Sequence, residues 1–416
     1  MMRFFYILFT QIYPVIIRIA SLFSPKAKLW IEGRKNLFEK IQNAVNDNQA
    51  PIIWMHCASL GEFEQGRPII EKIKVKFPKY KICVTFFSPS GYEIRKNYTQ
   101  ADYIFYLPMD GAKNAHKFLE ILQPKMAFFV KYEFWHFYIQ ELKNRQIPTF
   151  SISTLLRADQ IYFKSNGGFY RNILKNISFF FVQNQSTIDL LHGIQINNYI
   201  LSGDTRYDRV SEIAANWTPV AKFENLPQNK KILVAGSIWK EDDDQLADFV
   251  NAHSEYFYIL APHEIKGSRI EECQRNYQHS ILYSEIKNSI PSDKNVLIID
   301  NIGILNRLYR YADIAYIGGA WGHDGIHNIL EAAVYGKPVL YGPNHPKSFE
   351  ATALVDFGGG FSAQTKEELE TKLSSLFTED NERLKYSEKA SQFVATQRGA
   401  TLIIWEYISP ILQQIQ

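Results

Sequence analysis

The chain has 416 residues, 46% hydrophobic and 21% charged, a size and balance that suit two globular domains rather than one core. A formal net charge of +3 gives a nucleic-acid partner no global electrostatic support. Cys57, Cys83 and Cys273 lie far apart with no C-x-x-C, so neither a disulfide framework nor a structural zinc site is indicated, and a reducing compartment fits.

The first 40 residues carry seven basic side chains, Arg3, Arg18, Lys26, Lys28, Arg34, Lys35 and Lys40, against Glu32 and Glu39. Between them runs F-F-Y-I-L-F-T-Q-I-Y-P-V-I-I-R-I-A-S-L-F, residues 4–23. Gln11, Pro14 and Arg18 interrupt it, and no small-x-small cleavage site follows. Residues 1–28 read as a membrane-associated segment lying on or dipping into an anionic leaflet. A single pass, with its basic flanks in the cytoplasm, and a buried helix of a soluble protein are the alternatives.

Short apolar runs then alternate with amphipathic ones. Strands are expected at Pro51–Cys57, Tyr80–Phe86, Tyr103–Leu107, Met126–Val130, Thr149–Ser153, Phe179–Gln183 and Tyr199–Ser202, with helices such as Glu62–Phe77 and Ala112–Leu122 between them. A polar stretch with two prolines, residues 211–230, reads as a linker. A second set of strands follows at Lys231–Ala235, Tyr256–Ala261, Ser280–Tyr283, Asn295–Ile299, Ile314–Gly318 and Pro338–Tyr341. Near-continuous apolar strands alternating with helices indicate parallel sheets covered on both faces. The fold class is therefore α/β, two Rossmann-like domains facing a cleft, residues 29–210 and 231–396, with ligands beyond the strand ends.

Four segments carry candidate chemistry. In W-M-H-C-A-S-L-G-E an apolar run ends at Ser59, Leu60 and Gly61 and delivers Glu62 to a helix start. The helix dipole pulls the pKa of such an acid down and burial pushes it up, which suits a tunable base. Glu133 and Trp135 follow another strand end, and Arg206 follows the last strand before the linker, where it can face the gap. In the second half, Gly236-Ser237 precedes the acidic start D-D-D at 242–244, which reads as helix-dipole acids rather than a metal site. The densest segment, I-G-G-A-W-G-H-D-G-I-H-N-I-L-E, places Gly318 and Gly319 at a strand end. A helix is expected from near His327-Asn328, its amides facing an anion, with Glu331 on the same face as His327 and able to hold a ribose diol.

Together these segments resemble the 3-deoxy-D-manno-octulosonic acid (Kdo) transferases over nearly the whole chain. The carriers are Leu29–Arg34; H-x-x-S-x-G-E at His56, Ser59, Gly61 and Glu62; Y-L-P-x-D at Tyr106–Asp110; E-x-W at Glu133 and Trp135; G-D-T-R-Y-D at 203–208; I-G-G…G-x-H-N-x-x-E from Ile317 to Glu331; and G-P-N at 342–344. The resemblance implies the glycosyltransferase B fold, with a last helix, residues 397–416, returning to the first domain. It implies transfer of Kdo from CMP-Kdo to the lipid A precursor in lipopolysaccharide synthesis, at the cytoplasmic face of the inner membrane. It further implies Glu62 as base, His56, Ser59, Gly61, Glu133 and Trp135 on the acceptor side, and Gly236, Ser237, Gly318, Gly319, His327, Asn328 and Glu331 around the donor. Arg206 is expected on a phosphate or on the Kdo carboxylate. No cofactor or metal is implied.

The chain departs from the family pattern in several places. Lys131 stands where an acid is usual and His136 where a proline is usual. Ser237-Ile238-Trp239 replaces S-T-H. Pro262-His263-Glu264 replaces P-R-H, leaving Arg269 or Lys266 to supply a basic contact. The rival readings are another sugar-nucleotide enzyme of this fold, such as a UDP-sugar 2-epimerase or a lipid A disaccharide synthase-like transferase, and an inactive membrane-bound scaffold.

Overall fold

The computed structural model describes residues 2–415 except 225, 228, 288, 324, 346 and 347. Parts of the anticipated linker (Asn225, Gln228), the loop residue Asp324 and both terminal residues thus lie outside the described residues. The chain divides into two compact units, Met1–Arg209 with Arg398–Gln416, and Val210–Gln397.

The first unit holds β1 (Ile52–Cys57), β2 (Lys81–Phe86), β3 (Tyr103–Tyr106), β4 (Pro124–Val130), β5 (Thr149–Thr154), β6 (Phe179–Val182) and β7 (Tyr199–Leu201). They form one sheet in the order β3-β2-β1-β4-β5-β6-β7, with every pair parallel. All six residues of β1 are buried, and their alternation feeds two cores. Ile52 and Trp54 pack with Phe118, Phe129 and Tyr138 on one face. Ile53, Met55 and Cys57 pack with Phe63, Ile69 and Ile70 on the other. The Ala400–Gln414 helix completes that second core with Ile404, Ile408 and Leu412. Asp208 anchors its start by accepting from the amides of Gly399 (2.7 Å) and Thr401 (2.6 Å).

The second unit holds β8 (Ile232–Ile238), β9 (Phe257–Pro262), β10 (Ser280–Leu282), β11 (Val296–Ile298), β12 (Ile314–Ile317), β13 (Val339–Tyr341) and β14 (Gly360–Ser362), ordered β10-β11-β9-β8-β12-β13-β14 and again all parallel. The apolar pattern does not announce β14, because a three-residue edge strand entered through Gly358-Gly359 has no hydrophobic run to give it away. The anticipated linker is corrected as well. Ser211–Ala215 continue the Thr205–Ala215 helix, which ends just ahead of Pro219. Beyond it the chain is packed into the second unit: Trp217 Nε1 donates to the Arg307 carbonyl (3.1 Å), and the Val220 amide donates to Tyr311 Oη (3.0 Å).

The first helix, Met2–Ala20, is long and apolar enough to cross a membrane by length and composition. One stripe of it is tied to the first unit, with Tyr6 and Thr10 buried. Its other faces expose Phe4 (64%), Val15 (55%), Ile16 (55%) and Ile19 (61%).

Candidate functional site

In a doubly wound sheet the ligand crevice opens where the strand order reverses. In the first unit that point lies between β1 and β4, whose carboxyl ends lead to Ser59–Glu62 and to Glu133–Trp135. In the second it lies between β8 and β12, which lead to Gly236–Trp239 and Gly318-Gly319. Each half therefore has candidate residues at its own switch point, whereas Arg206 follows the edge strand β7.

Glu62 occupies the first turn of the Leu60–Lys76 helix, whose N-cap is Ser59. The spacing S-x-x-E is that of a capping box, yet Ser59 makes no side-chain cap bond. Its hydroxyl donates instead to Glu62 Oε2. Gly61 lies exposed beside it, and a Cβ there would meet little. The second carboxylate, Glu133, enters through Lys131 at φ +61°. Burial, then the neighbouring charge of Glu62, push its carboxyl up to about 7. Two glutamates thus share one strand-end region, and the charge of Glu62 acts on Glu133.

His56 sits at the same strand end, fully buried. Trp135 Nε1 donates to its Nε2 (3.1 Å), so the ring proton resides on Nδ1, which faces Thr85 Oγ1 at 3.0 Å. Burial drives its pKa down to about 3, so it is a neutral brace between β1, β2 and Trp135 rather than an open acceptor-side group.

Arg206 is corrected too. Its Nε and Nη2 both donate to Asp204 Oδ2, at 2.9 and 2.7 Å, so its fork is not open to an incoming anion. Burial opposes ionisation of Asp204, but the Arg206 charge and its hydrogen bonds outweigh it and hold the carboxyl below the usual range. Gln65 Nε2 also donates to Asp204 (3.0 Å), and Thr205 Oγ1 donates to the Gln65 carbonyl (2.6 Å). The G-D-T-R segment is therefore a clamp on the helix that carries Glu62. Gln65 escaped the sequence reading, and Asp204 entered it only as a member of G-D-T-R-Y-D; the one available signal was a polar residue one turn after Glu62 on the same helix.

In the second unit Gly236 and Ser237 belong to β8 itself, and Ser237 takes φ +55° where the register with β9 slips. Ser237 is thus neither an N-cap nor at a helix start. The following helix, Lys240–Ala252, begins after Trp239, whose amide donates to Asp242 Oδ2 (2.8 Å). The same carboxylate accepts from the Gly319 amide (2.9 Å), and its Oδ1 accepts from Tyr316 Oη (2.7 Å). Asp242 and Asp243 are both fully buried, so they are hubs of the fold and not solvated dipole acids. Asp243 pairs with Arg269 at 2.5 Å, which occupies one proposed substitute for the family's basic contact. The other, Lys266, is exposed and paired with Glu264. The glycines are needed for close approach of the chain to itself: a Cβ on Gly318 would collide with the Ser237 carbonyl, and Gly319 at φ +93° lies against the Gly325 carbonyl.

The expected helix from His327 is one turn, Leu330–Ala333. Gly325 at φ +81° keeps the preceding backbone non-helical, and Asn328 Oδ1 takes the Leu330 amide (3.2 Å). His327 and Glu331 therefore do not share a helix face. Asn328 Nδ2 donates to Glu331 Oε1 at 3.2 Å. His327 is held in a ring cluster: its ring stacks on His263 at 4.4 Å, His263 stacks on Trp239 at 4.3 Å, and Trp239 Nε1 donates to His327 Nε2 at 3.1 Å. Trp239 and His263 are two of the departures from the family pattern, and they meet here on a residue that keeps it.

A family signature described as "3-Deoxy-D-manno-octulosonic-acid transferase (kdotransferase)" matches residues 34–209. The chain is 26% identical to a 3-deoxy-D-manno-octulosonic acid transferase of Rickettsia felis, over 86% of this chain and 78% of that protein. It is 24% identical to the enzyme of that name from Haemophilus influenzae, over the full length of both. Among solved structures, a UDP-GlcNAc 2-epimerase of Neisseria meningitidis bound to UDP-GlcNAc superposes with TM-score 0.61 at 16% identity, covering 86% of this chain and all of that one, a likeness of fold.

Proposed function

We propose that this chain is a glycosyltransferase of lipopolysaccharide synthesis that moves Kdo from CMP-Kdo to a sugar hydroxyl of the lipid A precursor, with Glu62 as general base, a reading supported by the Kdo transferase signature over residues 34–209 and by the similarity to Kdo transferases along the chain. The observation that carries the assignment is the carboxylate pair at the first unit's switch point. Glu62 accepts from Ser59, and the proton-retaining Glu133 stands in its field. Glu62 takes the proton of the acceptor hydroxyl, the freed oxygen bonds to the anomeric carbon of Kdo, and the bond from that carbon to the CMP phosphate oxygen breaks. CMP leaves with the bonding pair. General-base catalysis of this kind contributes roughly 10²–10⁴-fold.

The loops after β8 and β12 in the second unit take the nucleotide, with Gly318 and Gly319 bringing the backbone close and Glu331 on the ribose. The first helix keeps the enzyme on the cytoplasmic face of the inner membrane, lying along the leaflet. A helix with one stripe buried against its own protein and the others apolar and exposed, flanked by Arg3, Arg18, Lys26 and Lys28, suits a surface anchor. Incubation of the full chain with CMP-Kdo and a lipid A precursor tests the reading: product mass should rise by one or more Kdo residues. Absence of transfer from CMP-Kdo, with the protein folded, would overturn it.

A further inference from the structure

A cavity of about 680 Å³ opens in the first unit between the Met2–Ala20 helix, the Pro25–Gly33 helix, the start of the Leu37–Val45 helix and the Pro108-Met109 loop. Its lining includes Arg18, Arg34 and Lys35, and among the described lining residues Glu39 is the one acid. Pro14 and Phe38 supply apolar wall. The volume suits a small-molecule headgroup rather than a bare ion.

Arg34 is the unusual member. Its Nε donates to the Leu107 carbonyl (3.0 Å), its Nη2 to the Phe87 carbonyl (2.9 Å) and its Nη1 to the Trp30 carbonyl (3.2 Å). The guanidinium centre lies 3.8 Å from the Trp30 ring centroid and 4.7 Å from that of Tyr106. These bonds use three of five N–H groups, and among the described residues no carboxylate pairs with it. Burial pulls its pKa down to about 9, the mark of a charge held at a cost. A buried cation without a counter-ion is expensive, and an anion entering from outside offsets that cost.

The rim identifies what carries the anion. Arg18 and Pro14 belong to the helix whose outward faces expose Phe9, Ile12, Val15 and Ile19. An anion reaching Arg34 past that surface is best delivered on an apolar body. We infer that this cavity receives the phosphomonoester headgroup of the lipid acceptor, with Arg34 as the inner contact, Arg18 and Lys35 as the outer ones, and the acyl chains along the first helix. The inference rests on the reading of the first unit as the acceptor-binding half.

The test uses the full chain in neutral detergent micelles doped with dioleoyl phosphatidic acid, a phosphomonoester lipid, or with dioleoyl phosphatidylglycerol, a phosphodiester of the bulk membrane. Phosphatidic acid should bind at least tenfold more tightly. Arg18→Glu with Lys35→Glu should remove that preference, whereas Lys76→Glu with Lys79→Glu, the same charge change at exposed sites outside the cavity, should leave it within threefold. Arg34→Lys should lose about tenfold; if that variant unfolds, the outer pair decides. Equal losses in both double variants would reduce the effect to general attraction and overturn the inference, as would equal binding of the two lipids. Complete displacement by 1 mM inorganic phosphate would also overturn it, since the site would then serve the free anion. Binding here is read without any transfer step, so a chain that binds phosphatidic acid as described but fails to transfer Kdo would sink the proposed function alone.

Discussion

The phenol of Tyr6 donates to Asp110 Oδ2 at 2.5 Å, joining residues 104 positions apart. The same phenol oxygen accepts the His136 amide (3.1 Å), while Asp110 accepts the amides of Phe137 (3.1 Å) and Tyr138 (3.2 Å). The exposed apolar helix and the Y-L-P-x-D loop therefore cap the His136–Asn144 helix jointly. That helix starts directly after Glu133 and Trp135, so the first helix and the Glu133 loop share one support.

Tyr6→Phe removes a hydrogen bond to a buried carboxyl that burial already pushes up to about 6. The expected loss is about 1.5–3 kcal/mol. A thermal melt should record it, and Asp110→Asn should cost no less, because three donors then face a weaker acceptor.

For Glu62→Gln, the expected change is a fall in transfer of roughly 10²–10⁴-fold. CMP should still bind, because the residues assigned to it lie in the other unit. Transfer and calorimetric CMP binding, measured on the same sample, separate a lost base from a misfolded protein. Near-full activity in a folded variant would remove Glu62 from the chemistry.

Glu133 makes stability depend on pH with a defined sign. Its folded pKa, about 7, lies above the ordinary carboxyl value of about 4.3, so between those limits the folded state holds a proton that the unfolded chain has released. Its contribution is complete below pH ~4.3 and is lost as pH rises through about 7. Melting temperatures across this window should decline for the parent and decline less for Glu133→Gln. Equal slopes would refute the assignment.

Gly319→Ala should cost roughly 1–3 kcal/mol from its positive φ alone, before the crowding against the Gly325 carbonyl is counted. Because its amide is held by Asp242, the β12 loop should shift and CMP affinity should drop while the first unit melts as before. Limited proteolysis of the loop and CMP titration would read both effects.

Most of the architecture was legible because parallel strands buried on both faces are written as apolar runs; β1 and β4 are plain in the sequence. The edge strand β14 is not, since a short glycine-led strand leaves no such mark. At the site, the sequence placed Glu62, Glu133, Gly318 and Gly319 at strand ends, and the structure brings them to switch points. It misjudged residues whose partners are distant. Arg206 looked like an open fork until Asp204 closed on it; Asp242 looked like a dipole acid until Tyr316 and Gly319 converged on it; His327 looked helical until Trp239 and His263 stacked against it. Side-chain pairing at long separation has no periodicity, so nothing in a linear reading reveals it.

The last helix fills the first unit's core with Ile404, Ile408 and Leu412, although the rest of that unit ends near residue 209. Order of synthesis therefore reverses order of completion. Every residue of the second unit leaves the ribosome before the first unit owns its final piece, so that unit waits with a side of its sheet uncovered until the C-terminus arrives. A premature stop after residue 397 would spare the second unit and leave the first one open.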